Sequence, residues 1–299
     1  MYVITGASGH TGATAAKSLL SRGQQVRVLG RNPDHLKDLA SAGAEVFVCD
    51  ITDSTRLTEA FRGADAAYAF MPPNMSSDDY RAYQEKVSDS IATAVAASKL
   101  KYVVSLSSLG ADKSSDTGPV VGLHNLEQKL NKAQGTNVLH LRAGYFMENT
   151  LGQAGAIHTF GKTMGPLRPD LKLSMIATRD IGAIAAEELL AKSFTGKQTR
   201  ELRGQRDIDM NEVTRILGKA VGKPDLTYVQ APDDQFKAAV MQMGMSSNMA
   251  GLIVEMAHAL NSGHMRALEP RSPRNTNPTS FETFVAEEFM PVFEQAKAA

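Results

Sequence analysis

Residues 3–23 read VITGASGHTGATAAKSLLSRG, which passes from an apolar strand through three glycines, Gly6, Gly9 and Gly12, into an alanine-rich helical run. In a strand–turn–helix unit the first glycine permits the tight turn, the second lets the backbone approach a pyrophosphate, and the third lets helix and strand pack closely. Free N–H groups and the dipole at the helix start favour an anion. The segment therefore predicts a dinucleotide site, although a merely tight turn is the alternative. The residues predicted to contact the dinucleotide are those of the whole loop: Gly6, Ala7, Ser8, Gly9, His10, Thr11 and Gly12.

Apolar segments alternate with helical ones over roughly the first half of the chain. The strand-like segments are 2–5, 25–30, 44–50, 66–71, 101–110 and 137–146. Between them, residues 79–98 carry apolar side chains every three or four positions, as a long amphipathic helix does. This alternation predicts βαβ units, and hence an α/β fold with a doubly wound parallel sheet of the Rossmann type.

The alternation becomes irregular after residue 150. Residues 171–191 predict a strand and then a helix capped by Asp180, and residues 196–204 predict one strand that returns to the sheet. Two further pairs have the spacing of a capping box, Asp209 with Glu212 and Thr279 with Glu282.

Composition limits the possible partners. The 32 basic residues balance the 32 acidic ones, which argues against nucleic acid or an anionic membrane and favours a small-molecule substrate. The single cysteine, Cys49, excludes an internal disulfide, offers no metal cluster and is typical of the reducing cytoplasm. No apolar run reaches the length of a membrane-spanning helix, and the apolar start lacks the charged region of a signal peptide. The sequence leaves a homodimer open.

The end of the second strand predicts which cofactor binds. NAD sites present an acidic residue there for the ribose 2′-hydroxyl, whereas NADP sites use an arginine for the 2′-phosphate. In this chain residues 28–35 read VLGRNPDH, so Arg31 offers a bidentate cation and no acidic residue precedes Asp34. This pattern favours NADP(H), and a solvated surface arginine is the alternative.

The end of the third strand reads CDITD, residues 49–53. Asp50, followed by Ile51, is placed to border the adenine of the cofactor. The alternative role of Asp50 is to cap the helix that follows Thr52.

A family resemblance is carried by TGASGHTG (5–12), VLGRNP (28–33), CDITD (49–53) and above all LRAGYFMEN (141–149), supported by RDIG and PTSFETFVAEE near the C-terminus. Together these segments resemble the NmrA-like branch of the atypical short-chain dehydrogenase/reductases. The resemblance implies a Rossmann domain that binds NADP(H) across the strand ends, with a smaller C-terminal subdomain. It further implies that Met71, Pro72 and Pro73 lie near the nicotinamide, and that Tyr145, Phe146 and Asn149 line the substrate cleft.

We therefore expect residues 1–150, completed by parts of 170–205, to form the NADP-binding Rossmann domain. Residues 151–299 are expected to form a small, mostly helical subdomain on the substrate side. Residues 241–256 contain many methionines, which adapt to varied apolar ligands, so this segment is either a substrate lid or part of the core.

The catalytic tyrosine of active short-chain dehydrogenases, which a lysine follows four residues later, has no counterpart in this chain. Ser107 occupies the strand end where a catalytic serine would lie. His124 is the titratable group near the expected tyrosine position, and it is either a proton donor or a helix-face histidine beside the cleft.

Two functions from different classes follow from these observations. The first is an NADPH-dependent oxidoreductase that transfers hydride to a small, flat, apolar acceptor such as a quinone, a reaction that needs orientation and little acid catalysis. The alternative is a non-catalytic NADP(H)-binding redox sensor, which would require states that differ in cofactor affinity or conformation.

Overall fold

Seven parallel strands form the central sheet of the computed structural model, which describes residues 1–298. Ala299, the last residue of the predicted subdomain, lies outside the described residues. The strands are β1 (Tyr2–Ile4), β2 (Val26–Gly30), β3 (Glu45–Val48), β4 (Ala66–Ala69), β5 (Tyr102–Ser108), β6 (Asn137–Ala143), β7 (Tyr145–Phe146), β8 (Thr163–Gly165), β9 (Leu173–Ile176), β10 (Lys197–Leu202), β11 (Asp207–Ile208) and β12 (Tyr228–Gln230). The large sheet has the order β10-β6-β5-β4-β1-β2-β3, which confirms the predicted doubly wound α/β fold. The strand order reverses between β1 and β4, and ligands of such sheets bind at this switch point.

Helices cover both faces of the large sheet and also build the separate core of the C-terminal half. They are α1 (His10–Leu20), α2 (Lys37–Ser41), α3 (Ser54–Phe61), α4 (Tyr80–Ser98), α5 (Val120–Asn131), α6 (Gln153–Phe160), α7 (Thr178–Ala191), α8 (Met210–Ala220), α9 (Asp233–Gln242), α10 (Ser247–Asn261), α11 (Phe281–Phe284) and α12 (Met290–Ala298), with a π-turn at Val285–Phe289. Side chains of α1 and α7 pack with Ile4, Val28 and Leu141 on one face. Those of α3, α4 and α5 pack with Val3 and Val138 on the other. Because successive side chains of a strand point to opposite faces of the sheet, one apolar core forms on each face.

The C-terminal half contributes both to the large sheet and to a core of its own. The predicted returning strand is β10, which pairs in parallel with β6, so this prediction is confirmed. A third apolar cluster joins α6, α8, β9 and the C-terminal helices. Its largest side chains are the aromatic rings of Phe281, Phe284, Phe289 and Phe293. Two small sheets, β11-β9-β7 and β12-β8, accompany these helices.

The segment 137–146 is not the single strand that the sequence predicts. It divides at Gly144 into β6, in the large sheet, and β7, which pairs with β9 in a small sheet. A Cβ atom at Gly144 would collide with the backbone oxygen of Ser174, so only glycine allows the two segments to approach this closely. The division takes Tyr145 and Phe146 out of the large sheet, so that Tyr145 packs against the C-terminal core while Phe146 still packs against the core of the large sheet.

Two predicted helix caps are wrong, and one is confirmed. Ala177, not Asp180, precedes α7, and the Asp180 carboxylate instead accepts hydrogen bonds from the backbone N and Oγ1 of Thr279, at 3.1 and 2.7 Å. Thr279 is thereby occupied, and Ser280 caps α11 in its place. The cap at Asp209 is as predicted, since its carboxylate accepts from the backbone N of Glu212 at 2.9 Å.

None of the helices in residues 1–298 combines the length and apolarity that crossing a membrane requires.

Candidate active site at the carboxyl ends of the strands

The three glycines of the opening segment differ in their surroundings. Gly6 has a φ of +62°, and a Cβ atom there would collide with the Phe70 ring. A Cβ atom at Gly12 would lie 2.8 Å from the carbonyl carbon of Gly6 and closer still to its oxygen. At Gly9 the nearest atom would be the Gly6 oxygen at 3.4 Å, an ordinary contact. The fold therefore requires the first and third glycines, whereas the space beside the second is open.

The N-terminus of α1 is left free for an anion. Gly9 precedes the helix without a side-chain cap, and the first turn contains no acidic residue. By contrast, Asp53, Asp79 and Asp209 cap α3, α4 and α8 with their own carboxylates. The first-turn N–H groups of α1 are thus available to a phosphate, as at other phosphate-binding helices.

The side chains of the loop are divided between solvent and core. Ser8 and His10 are exposed at the helix start, while Ala7 and Thr11 are buried. The Thr11 hydroxyl accepts a hydrogen bond from the Tyr68 hydroxyl at 3.1 Å, which ties the loop to β4. The buried Thr11 side chain thus anchors the loop to the core, whereas Ser8 and His10 stay at its surface.

Arg31 and Asp50 lie together at the ends of β2 and β3. The Asp50 carboxylate accepts from the backbone N and Oγ1 of Thr52, both at 2.9 Å. These bonds hold the pKa of Asp50 below its usual range, and the charge of Arg31 acts in the same direction. Arg31 is exposed and forms no ion pair with any acidic residue of the part of the chain that the structure describes. Its guanidinium is thus available to a phosphate.

The alternative role for Asp50 does not hold in the structure. Asp53 caps α3, accepting from the backbone N of Arg56 at 3.0 Å. Ile51, between these two carboxylates in the chain, is half-buried against the core beneath α3 and α4.

A cavity of about 560 Å³ opens beside the carboxyl ends of β4, β5 and β6. Six predicted site residues from three separate segments line it: Met71, Pro73, Ser107, Tyr145, Phe146 and Asn149. Phe70 also lines the cavity, and its ring packs on Gly6, so the cavity adjoins the glycine loop. The loop itself, Arg31, Asp50, Ile51, Pro72 and His124 lie outside the cavity wall.

The loop after β4 is held by the first turns of α4. The Tyr83 hydroxyl donates to the backbone oxygen of Pro72 at 3.0 Å. The Gln84 amide donates to the backbone oxygen of Pro119 at 2.7 Å and contacts the sulfur of Met71 at 3.6 Å. Pro72 therefore shapes the loop through its backbone, while Met71 and Pro73 face the cavity.

Methionines form much of the apolar wall. The five in the wall are Met71, Met75, Met249, Met256 and Met265. The methionine-rich segment 241–256 is divided, because Met249 and Met256 line the cavity whereas Met241 and Met243 are 44% and 78% exposed. Part of the segment therefore lines the cavity, part of it is buried core at Ala250, Leu252 and Val254, and its first methionines are exposed.

A buried network that the sequence reasoning missed lies beneath Ser107. The Ser107 hydroxyl donates to Oε1 of Glu127 at 2.6 Å, and both side chains are buried. Nε and Nη2 of Arg142 donate to the two oxygens of the same carboxylate, at 3.0 and 2.7 Å. These bonds raise the pKa of Arg142 above its usual range. Because its hydrogen points to Glu127, Ser107 offers the cavity only an acceptor.

His124 is turned away from the cavity. Its Nδ1–H donates to the backbone oxygen of Ala111 at 2.9 Å, and the residue is not part of the cavity wall. Lys129, one turn further along α5, is paired with Glu85 at 2.5 Å and Asp89 at 2.6 Å on α4. The geometry thus favours the alternative of a helix-face histidine over a proton donor.

We expect His124→Asn to keep more than about half of the wild-type turnover, because the asparagine amide can still donate to Ala111. A general acid would instead lose roughly 10²–10⁴-fold. The steady-state rate at saturating NADPH and acceptor, with circular dichroism as the control for folding, decides between these results. A hundredfold loss in a folded variant would restore His124 as the proton donor.

In the described chain, no three His, Cys, Asp or Glu side chains converge as a metal site would require.

Residues 2–289 match the family model of the NmrA-like family. Two sequence relatives are cinnamoyl-CoA reductase 1 of Arabidopsis thaliana, 32% identical over 130 residues, and an NmrA-like family domain-containing oxidoreductase of Penicillium ochrochloron, 29% identical over 177 residues. These matches cover 40% and 52% of this chain, and 38% and 50% of the relatives. The aligned region thus spans half or less of the curated relatives' length.

Solved structures match over almost the whole chain. The NADPH-dependent quinone oxidoreductase of Escherichia coli, crystallised with NADPH, has a TM-score of 0.80 at 24% identity, with 97% of this chain and 100% of that one covered. The triphenylmethane reductase of Citrobacter sp., complexed with NADP(H), has a TM-score of 0.80 at 17% identity, with 99% and 100% covered. At these identities the similarity establishes the fold alone.

Proposed function

The chain belongs to the NmrA-like family, and from this premise we propose that it is an NADPH-dependent oxidoreductase whose acceptor is a small, flat, apolar molecule such as a quinone. The observation that carries the proposal is a methionine-lined cavity that adjoins the glycine loop at the strand ends. The chemistry that NADPH supplies when bound is a hydride, equivalent to two electrons and a proton. The similar structures of a quinone oxidoreductase with NADPH and a reductase with NADP(H) support this proposal.

The residues present fit a dinucleotide phosphate. The uncapped start of α1 and the open space at Gly9 suit a pyrophosphate, and the unpaired guanidinium of Arg31 suits a 2′-phosphate. Asp50 and Ile51, which follow β3, would border the adenine. Phe70, Met71 and Pro73 lead from the loop to the cavity, where the nicotinamide would meet the acceptor.

The cavity suits an apolar acceptor of moderate size. A volume of about 560 Å³ is within the usual range for small-molecule sites. Methionine side chains adapt to varied apolar shapes, so the wall accommodates more than one ring system. We further propose that residues 1–150, completed by parts of 170–205, form the cofactor-binding domain, that Tyr145, Phe146 and Asn149 at its end face the acceptor, and that residues 151–299 form a small subdomain on the acceptor side.

Turnover of NADPH with a panel of quinones, followed by the loss of NADPH absorbance, tests this function. We expect quinone-dependent oxidation well above the rate without acceptor. Tight NADPH binding with no turnover across the panel would contradict the enzyme and support the redox sensor. Failure to bind NADPH at all would contradict both functions.

We expect Arg31→Ala to weaken NADPH binding about tenfold or more and to leave NADH binding nearly unchanged. A charge-assisted contact to the 2′-phosphate contributes roughly 1.5–3 kcal/mol, and NADH lacks that phosphate. Isothermal titration with both cofactors measures the two affinities, and Arg22→Ala, at another exposed arginine, is the matched control. Equal losses for NADPH and NADH in Arg31→Ala would contradict this role.

A further inference from the structure

Five hydroxyl groups line the cavity, and three of them have their hydrogen committed to the protein. Ser107 donates to Glu127 at 2.6 Å, Ser108 to the backbone oxygen of Leu109 at 2.9 Å, and Ser174 to Asp207 at 2.7 Å. A hydroxyl whose hydrogen is committed offers a ligand only its lone pairs. The three serines therefore cannot donate to a carbonyl oxygen of the acceptor.

The other two hydroxyls are phenols, on Tyr80 and Tyr145. Within residues 1–298 the Tyr80 hydroxyl has no hydrogen-bond partner, and the Tyr145 hydroxyl has the Asn149 side chain beside it. Tyr80 begins α4 and is only 4% exposed, packed with Met249 and Leu252 away from the strand ends. Tyr145 lies just after β6, separated from it by Gly144. The last residue of β6, Ala143, pairs with Ser108 at the end of β5, so Tyr145 is beside the ends of both strands. Of the two phenols, Tyr145 is thus the one at the strand ends, where ligands of such sheets bind.

The position of Tyr145 is fixed by the backbone. Tyr145 pairs with Met175 in β9, and the close approach of Gly144 to Ser174 holds this pairing next to the large sheet. A side chain on so short and constrained a segment needs little reorganisation to meet a ligand. Such preorganised donors are the effective ones at developing charges.

We propose that the Tyr145 hydroxyl donates a hydrogen bond to the carbonyl oxygen of the acceptor on which negative charge develops. The inference rests on the proposed function. A quinone gains a hydride from NADPH, which becomes NADP⁺, and a proton from solvent, to form the hydroquinone. Tyr145 keeps its own proton throughout and stabilises the oxygen before the solvent proton arrives.

The surroundings of Tyr145 keep it a donor. Burial raises the pKa of its hydroxyl to about 12, so the phenol stays protonated at neutral pH. The Asn149 side chain lies beside the hydroxyl and opposes this shift.

Tyr145→Phe tests this role, because it removes the hydroxyl and keeps the ring. We expect kcat with a naphthoquinone to fall roughly 10²–10³-fold, the usual loss for one donor to a developing oxyanion. The dissociation constant of NADPH should change less than about threefold. Tyr228→Phe is the matched control, since that hydroxyl donates to the backbone oxygen of Leu167 at 2.9 Å and lies outside the cavity wall. A loss below about threefold in Tyr145→Phe, or a larger loss in Tyr80→Phe, would overturn the proposal.

A second measurement separates this role from turnover. The carbonyl stretching band of ¹³C-labelled 1,4-naphthoquinone, bound to the protein loaded with NADP⁺, should lie lower in wild type than in Tyr145→Phe. The same band in both proteins would overturn the role of Tyr145. A shifted band without turnover of NADPH would uphold it and contradict the proposed function alone, while no binding of naphthoquinone would contradict both.

Discussion

We expect the Arg142→Ala variant to be about 3–5 kcal/mol less stable than wild type, the usual cost of removing one partner of a buried ion pair. Its partner Glu127 is 2% exposed and accepts from Nε and Nη2 of Arg142 at 3.0 and 2.7 Å. Without the guanidinium, the Glu127 carboxylate stays buried with the Ser107 hydroxyl as its remaining side-chain donor. Urea denaturation followed by circular dichroism measures the loss.

Two controls identify the buried charge as the cause. The double variant Glu127→Leu with Arg142→Met removes both charges and should recover most of the lost stability. Lys37→Ala breaks an ion pair with Asp34 whose side chains are 73% and 67% exposed, and it should cost less than about 1 kcal/mol. A double variant no more stable than Arg142→Ala would show that packing, and not the unpaired charge, causes the loss.

The position of this ion pair connects stability to the cavity. Glu127 on α5 and Arg142 on β6 meet directly beneath Ser107, whose other side faces the cavity. A buried pair of this kind is weak evidence for net stability, since apolar residues often replace one without loss. Its definite consequence is that the Ser107 hydrogen points inward, which removes Ser107 from the donors available to an acceptor.

The fold could be predicted because its signals are local. Alternating strand and helix patterns, each within a dozen or so residues, indicate βαβ units, and their connections are right-handed by a general rule. The glycines of residues 6–12 are likewise a local signal, because they indicate the single turn between β1 and α1. The predicted strands are confirmed, except that 137–146 divides at Gly144, where the cause is a contact with the distant Ser174.

The buried network and the misassigned caps depend on pairs that are distant in sequence. Asp180 and Thr279 are 99 residues apart, so no local pattern could show that these two side chains are hydrogen-bonded to each other and not to the ends of helices. A signal for Glu127 and Arg142 did exist in the sequence. Glu127 is next to the buried Leu126 on α5. Arg142 lies on the same side of β6 as the buried Val138. Glu127 and Arg142 are therefore charged residues at positions that face the core. Charged residues are rarely buried unless they are paired.

The cavity illustrates a different limit of sequence reasoning. Its wall brings together the loop after β4, the ends of β5 and β6, and α10, although the first and last of these lie about three fifths of the chain apart. The family resemblance pointed to Tyr145, Phe146 and Asn149, and the structure brings these residues to one wall. The donor inventory that distinguishes Tyr145 from the serines requires hydrogen-bond partners, and those are visible only in three dimensions.

We expect Gly9→Ala to lower the affinity for NADPH by roughly 10–100-fold, since a methyl group would enter the space that a pyrophosphate needs, and such overpacking costs about 1–3 kcal/mol. The protein itself tolerates the change. The new Cβ would lie 3.4 Å from the nearest atom, and Gly9 has φ −95° and ψ 168°, which alanine adopts freely. Replacing a glycine by alanine at this N-cap should reduce stability by only about 1 kcal/mol or less.

Gly9→Ala distinguishes a phosphate site from a tight turn better than a change at Gly12 does. A Cβ atom at Gly12 collides with the Gly6 backbone, so Gly12→Ala would displace the loop and lose stability and NADPH affinity together. Gly155→Ala, on the exposed side of α6 with no atom within 4 Å of the new Cβ, should bind NADPH as wild type does. Titration calorimetry gives the affinities and thermal denaturation gives the stabilities. The methyl group at Gly9 collides with nothing in the protein itself, so it can lower affinity only by meeting a bound ligand. A Gly9→Ala protein that keeps wild-type affinity for NADPH would therefore contradict the phosphate site and leave a tight turn as the role of the three glycines.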